Sequence, residues 1–132
     1  MAYTSSADIY KKYPALFENN KVIICQSGWF NLISELCAAI QVYTEYDIID
    51  KKSLHIVFQK FEQKHGVLNI EFRGGDEVAH HIIHYTERLS YKTCEICGNI
   101  GELYCSNKWQ KWSHLKTLCK THAISLFYYK FT

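Results

Sequence analysis

The strongest periodic signal lies between residues 28 and 46, where Trp29, Leu32, Ile33, Leu36, Cys37, Ile40 and Tyr43 recur at steps of three and four. Asn31, Ser34, Glu35, Gln41 and Glu45 occupy the opposite face, so the segment is expected to be the main core helix, with Ser27 in a capping position. A shorter helix is expected over residues 5 to 18, capped by Ser6, limited by Pro14, and burying Ile9, Tyr13, Leu16 and Phe17. The apolar run Val22-Ile23-Ile24 separates the two.

Beyond a charged linker, Asp47 to Ser53, the period changes from 3.6 to 2. Leu54, Ile56 and Phe58 alternate with His55, Val57 and Gln59, and Leu68, Ile70 and Phe72 alternate with Val67, Asn69, Glu71 and Arg73. The polar stretch Glu62 to Gly66 suits a hairpin loop of four or five residues, and Gly74-Gly75 closes the second strand. A two-stranded ribbon is marginal alone, so it is expected to pack on the long helix or to gain a third strand, from residues 22 to 25 or from Leu103 to Cys105. Asp76 then caps a helix with Val78, Ile82, Tyr85 and Leu89 inside, Ala79, Ile83 and Thr86 flanking, and His80, His81 and His84 outside. A last helix is expected from Leu115 to Lys130, and its apolar tail Leu126 to Phe131 either covers the core or is an interaction surface.

These elements make one α+β domain over residues 1 to 132, a β-hairpin packed on helices. Residues 1 to 92 hold the helices and hairpin, and 93 to 132 form a metal-bound subregion. That subregion carries the clearest chemistry. Cys94-Glu95-Ile96-Cys97 is answered, after 21 intervening residues that begin with Gly98, by Cys119-Lys120-Thr121-His122. Two thiols two residues apart, followed by a Cys and a His with the same gap, is the spacing of a tetrahedral zinc site. Gly98 supplies the left-handed residue that such a knuckle needs, and Cys119 and His122 at i, i+3 point the same way from a helical turn. The ligand set is therefore Cys94, Cys97, Cys119 and His122. Cys105 is the substitute ligand, and free buried cysteines or one disulfide are the alternative. Four protein ligands close the shell to an activated water, which makes the zinc structural. His80 and His84 at i, i+4 are a second chelating pair, weighed against a plain solvated face. Cys37, on the apolar stripe, reads as a small core residue.

Enzyme signatures are missing. There is no His-Glu-x-x-His, no phosphate-binding glycine loop, and no His-x-Glu followed by Pro-Cys-x-x-Cys as in zinc deaminases. A nucleophilic pairing of Cys25 or Cys105 with His114 is the arrangement that spacing leaves open. The reading is a non-enzyme.

Charge changes the picture further. Residues 1 to 102 hold 10 Lys/Arg and 13 Asp/Glu, whereas residues 103 to 132 hold five lysines and no acid. No apolar run is long enough to span a membrane, and the first residues lack the pattern of a secretory signal. Six cysteines are then expected as reduced thiols and metal ligands in a cytosol.

The residues Gly28-Trp29 with Leu32 and Leu36, the hairpin around Lys64-His65-Gly66-Val67-Leu68, Glu87-Arg88-Leu89-Ser90, Cys94-Glu95-Ile96-Cys97-Gly98-Asn99-Ile100-Gly101 and Thr117-Leu118-Cys119-Lys120-Thr121-His122-Ala123 resemble a group of small phage and prophage zinc-binding proteins of mostly unassigned function. The resemblance spans about residues 25 to 123. Members often carry Lys-Phe-Gly where this chain has Lys64-His65-Gly66. What the resemblance implies is a mobile-element setting in a bacterial host cytosol. Small accessory proteins of that setting are often inhibitors of host defence, anti-CRISPR proteins among them.

Two functions follow as expectations. The first is a protein-binding module that inhibits a host protein or nucleoprotein complex, such as a CRISPR effector, by direct contact through Trp109, Lys111, Trp112 and Lys116. Its alternative is that the two tryptophans pack beside the metal loop. The second is a zinc finger that binds nucleic acid directly, with aromatics on bases and lysines on phosphates. Against the second, the only arginines are Arg73 and Arg88, both outside the basic segment.

Overall fold

Helix α2, Phe30–Tyr46, is the axis on which the larger half of the molecule is built. Trp29 precedes it in a 3-10 turn, Ser27–Trp29, and Trp29, Ile33, Cys37 and Ile40 are fully buried. The computed structural model describes residues 5–19, 21–46, 55–110, 112 and 114–131. The linker expected at Asp47 to Ser53, the strand residue Leu54 and the candidate contact Lys111 lie outside the described residues.

The opening helix α1, Ser6–Lys12, starts one residue past the cap at Ser5 and is followed by a 3-10 turn at Pro14–Leu16. Pro14 enters at the first position of that turn, where its missing N–H costs nothing. Ile9, Tyr13 and Leu16 are buried as expected, and Phe17 packs half-buried against Tyr10, Phe58 and Phe61.

Strands β1, Val57–Lys64, and β2, Val67–Arg73, form an antiparallel hairpin. Both pair through to Lys64 and Val67, so the turn is two residues long, His65-Gly66, and not the longer polar loop that composition suggests. Both turn residues have positive φ, at +54° and +86°, which is the backbone of the tightest hairpin turns. A bulge at Gln59 shifts the register between Phe58 and Lys60. Ile56 and Phe58 therefore face inward on one parity and Phe61 on the other, all three fully buried. Residues 22–24 supply the third edge: Phe61 N–H donates to the Val22 carbonyl at 2.7 Å, and Ile24 N–H to the Phe61 carbonyl at 2.8 Å.

Helix α3, Glu77–Ser90, is capped as expected, with the Ala79 N–H donating to Asp76 Oδ1 at 3.0 Å. The Tyr43 hydroxyl, donating at 2.6 Å, and that amide together hold the Asp76 carboxyl below the usual carboxylate range. Its inward stripe differs from the expected one. Ala79, Ile83, Thr86 and Ser90 are buried, while Val78, Tyr85 and Leu89 face out, Tyr85 at 62 % exposure. The cause is polar. Leu68 N–H donates to Ser90 Oγ and Ile70 N–H to Glu87 Oε2, each at 2.9 Å, so α3 is rotated to satisfy amides of β2 that no strand covers. Small side chains at 79, 86 and 90 allow the close approach that this requires.

The C-terminal part forms a separate three-stranded sheet of order β4-β3-β5, all antiparallel: β3 is Glu102–Cys105, β4 Lys116–Leu118 and β5 Tyr129–Lys130. The long final helix expected from Leu115 to Lys130 is thus a strand, a helix α4 of only Lys120–Ser125, and another strand. Thr117 explains the change. It is wholly buried, and its hydroxyl donates to the Gly66 carbonyl at 2.7 Å, which needs an extended backbone laid against the hairpin tip. After α4 the chain reverses at Phe127, φ +58°, and returns along the free edge of β3. No helix among the described residues is long and apolar enough to cross a membrane.

Two buried clusters result. The large one unites α1, α2, the hairpin and α3, and the small one consists of Cys94, Leu118, Cys119 and Ala123 with Ile96, Tyr104 and Tyr128 around it. Gly28 and Trp29 join them. The Gly28 N–H donates to the Glu95 carbonyl at 2.8 Å and the Trp29 indole N–H to the Thr93 carbonyl at 2.8 Å. A methyl group on Gly28 would sit 2.3 Å from the Cys94 carbonyl oxygen and 2.4 Å from the Glu95 carbonyl carbon, both backbone. Gly28→Ala should therefore lower stability by about 2 kcal/mol or more through overpacking. An equilibrium denaturant titration checks this; an unchanged midpoint would mean that the two halves are not pressed together at this point.

Candidate metal centre

The first ligand pair sits on a backbone knuckle. Thr93 and Ile100 bridge its base, the Cys94 N–H donates to the Asn99 carbonyl at 2.7 Å, and the Gly98 N–H returns to the Cys94 carbonyl at 2.9 Å. Gly98 has φ +82°, the conformation that closes such a turn at least cost. The second pair comes from the junction of β4 and α4. Cys119 is the residue before the helix and His122 lies in its first turn, with the Ala123 N–H donating to the Cys119 carbonyl at 2.9 Å.

These two turns bring Cys94, Cys97, Cys119 and His122 together, with every ligand atom within 4.8 Å of the others. Cys97 Sγ and Cys119 Sγ are 3.7 Å apart, Cys94 Sγ and His122 Nδ1 3.7 Å, and Cys119 Sγ and His122 Nδ1 3.1 Å. Ligand bonds of about 2.3 Å to sulfur and about 2.0 Å to nitrogen around a tetrahedral ion would separate the donors by roughly 3.5 to 3.8 Å. The Cys3His group can therefore hold a metal ion such as zinc.

The electrostatics fit a cation. Burial pushes the Cys94 thiol up, but the backbone N–H groups of Cys119, Cys97 and Ile96 outweigh it and leave the thiol at about 7. Cys97 is held above the ordinary thiol value by desolvation and then by the neighbouring Cys94 and Cys119 sulfurs. Three thiolates this close repel one another, and a divalent ion at their centre removes the penalty. Cys94 is fully buried and Cys97 exposed, which places the centre at the edge of the small core.

The other candidates lie elsewhere. Cys105, buried on β3, donates to the Asn107 carbonyl at 3.5 Å and stands outside the ligand group. Burial pushes the Cys25 thiol up to about 12 and the Cys37 thiol higher still, which suits inert core residues rather than nucleophiles. His80 contacts the Gly74 carbonyl at 3.0 Å and the Phe72 ring, whereas His84 contacts Glu87 Oε1 at 2.9 Å, so the two imidazoles are drawn to different partners.

Of the expected contact residues, Trp109 and Trp112 are 84 % and 76 % exposed, with Trp112 edge-on to Phe131 and Lys108 over the Trp109 ring. They do not form the cover of the metal loop. Lys116 has a structural partner: its ammonium lies 3.2 Å from Glu95 Oε1, and Glu95 is 1 % exposed. A glutamate between two knuckle cysteines reads as solvent-facing by position, and no pattern in the chain marks it as buried. The joint made by Gly28 and Trp29 and the strand cover made by Glu87 and Ser90 carry no local signal either.

No protein-family model matches this chain, and neither curated proteins nor solved structures yield a match.

Proposed function

We propose that the chain is a non-catalytic binding protein whose C-terminal subregion is held by structural zinc and docks on a larger host complex. Three thiolates and an imidazole around one ion are the donor set of structural zinc, and four protein ligands leave no coordination position for a substrate. The observation that carries the docking reading is the exposure of Trp109 and Trp112, 84 % and 76 %. Rings this large presented to water are the anchors of interfaces, and Lys108, over the Trp109 ring, favours encounter with an acidic surface. Together with the resemblance to small phage proteins, this favours an inhibitor of a host defence complex, with CRISPR effectors as the first complexes to test.

The experiment is affinity capture from bacterial lysates expressing defined defence complexes, comparing the native chain with Trp109→Ala. An interface anchor is worth about 2 kcal/mol or more on truncation, so retention should fall at least roughly thirtyfold while the melting temperature is unchanged. Equal capture by both proteins would refute this face as the docking surface.

A further inference from the structure

A cavity of about 270 Å³ opens between the hairpin tip and the segment that runs into β4. His65, from the two-residue turn, and His114 line it together with Lys116, Gln63, Trp112 and Tyr128. No described residue of its lining is an acid. Both histidines have positive φ, at +54° and +43°, a conformation that costs a side-chain-bearing residue energy. Asparagine would fill either position with less strain, and neither turn has any need of an imidazole. The cavity is where those two rings have a common use.

Its parts divide into two chemistries. The imidazoles and the Lys116 ammonium are donors suited to a phosphate, and Glu95 takes one of the three ammonium donors from behind at 3.2 Å. Gln63 does not compete for that role, because its side-chain N–H donates to the Leu115 carbonyl at 2.9 Å and ties the hairpin to the cavity floor. Trp112 and Tyr128 are flat rings on which a base can stack, as in proteins that hold single nucleotides of a strand. The volume is just below the lower end of ordinary ligand pockets, about 300 Å³, which limits the occupant to one nucleotide unit.

We propose that this cavity is a nucleotide site, with His65, His114 and Lys116 receiving the phosphate and Trp112 and Tyr128 flanking the base. The occupant is either a free mononucleotide or one residue of a single strand; the chemistry is shared. The site shares Trp112 with the proposed docking face but not Trp109, so a change at Trp109 tells the two readings apart.

Titration of the zinc-loaded full chain, followed by tryptophan quenching, tests the assignment with AMP, adenosine, inorganic phosphate and a short oligothymidylate as probes. Saturable quenching by AMP is expected, with adenosine and phosphate each at least about tenfold weaker. His65→Asn and His114→Asn, which keep the left-handed backbone and an unchanged melting temperature, should each weaken AMP about tenfold, the value of a hydrogen bond to a charged group. Trp109→Ala should leave AMP binding as it is, which separates failure here from failure of protein docking. Oligothymidylate binding tighter than AMP identifies a strand as the source, and weaker binding a free nucleotide. Absence of saturation by both, AMP affinity unaltered in the asparagine variants, or phosphate binding as tightly as AMP would each overturn the assignment.

Discussion

Chelating the metal should unfold the C-terminal subregion while α2 and the hairpin stay folded, and Cys94→Ser should do the same with metal present. The magnitude follows from the small core. Leu118 and Ala123 are its main buried aliphatic side chains besides the ligands, and full burial of a leucine stabilises by only about 1.5 to 3 kcal/mol. Ordering the backbone of each residue costs about 1 to 2 kcal/mol, so this cluster cannot hold three short strands and α4 unaided. A structural zinc contributes about 10 to 16 kcal/mol of apparent binding energy, as large as the stability of many domains. The measurement is circular dichroism and amide-resolved NMR before and after chelation, with metal content followed in parallel. Cys37→Ser is the control: Cys37 lies fully buried on α2, far from the ligand group in role, and its loss should leave metal content unchanged. Metal-free protein with native melting and unaltered spectra from residues 93 to 131 would defeat the structural role.

Lys116→Met should be the most damaging change outside the ligands. Removing one partner of a buried pair leaves the other charge without compensation, at about 3 to 5 kcal/mol for a fully enclosed pair. The Lys116 side chain is 25 % exposed, against 2 % for Glu95, so a loss of about 2 to 4 kcal/mol is expected with metal bound. The partner experiment decides the cause. Adding Glu95→Gln to Lys116→Met removes the stranded charge and should recover a good part of the loss. If the double variant is no more stable than the single, Lys116 acts through the packing of its stem against β3 and the hairpin. If Lys116→Met melts like the native chain, the buried pair has no energetic standing, and the Lys116 ammonium is available as a docking contact.

The ligand quartet depends on short spacings, Cys94 with Cys97 and Cys119 with His122, and each gap is governed by one local turn that the residues themselves specify. The burial of Trp29, Ile33, Leu36 and Ile40 likewise follows from a period that no neighbour needs to enforce. The inward stripe of α3 departs from its apolar period because the helix answers to unpaired amides of β2 at Leu68 and Ile70, a demand that arises only once the strand has an open edge. The final helix was overextended for a related reason. Leu115 to Lys130 is apolar enough to suit helix or strand, and Thr117 settles the matter by reaching the Gly66 carbonyl from 51 positions away.

Local order, the knuckle, the cap at Asp76, the main helix and the identity of the four side chains that could hold a metal could all be read from residues a few positions apart, because helix period and turn geometry are properties of neighbouring backbone. The depth at which Glu95 lies, the contact of Gly28 with the knuckle, the rotation of α3 and the placing of His65 and His114 at one cavity were decided only when distant segments packed. Those depend on which unsatisfied amides and charges the folded chain brings opposite one another, and one-dimensional spacing carries no record of that.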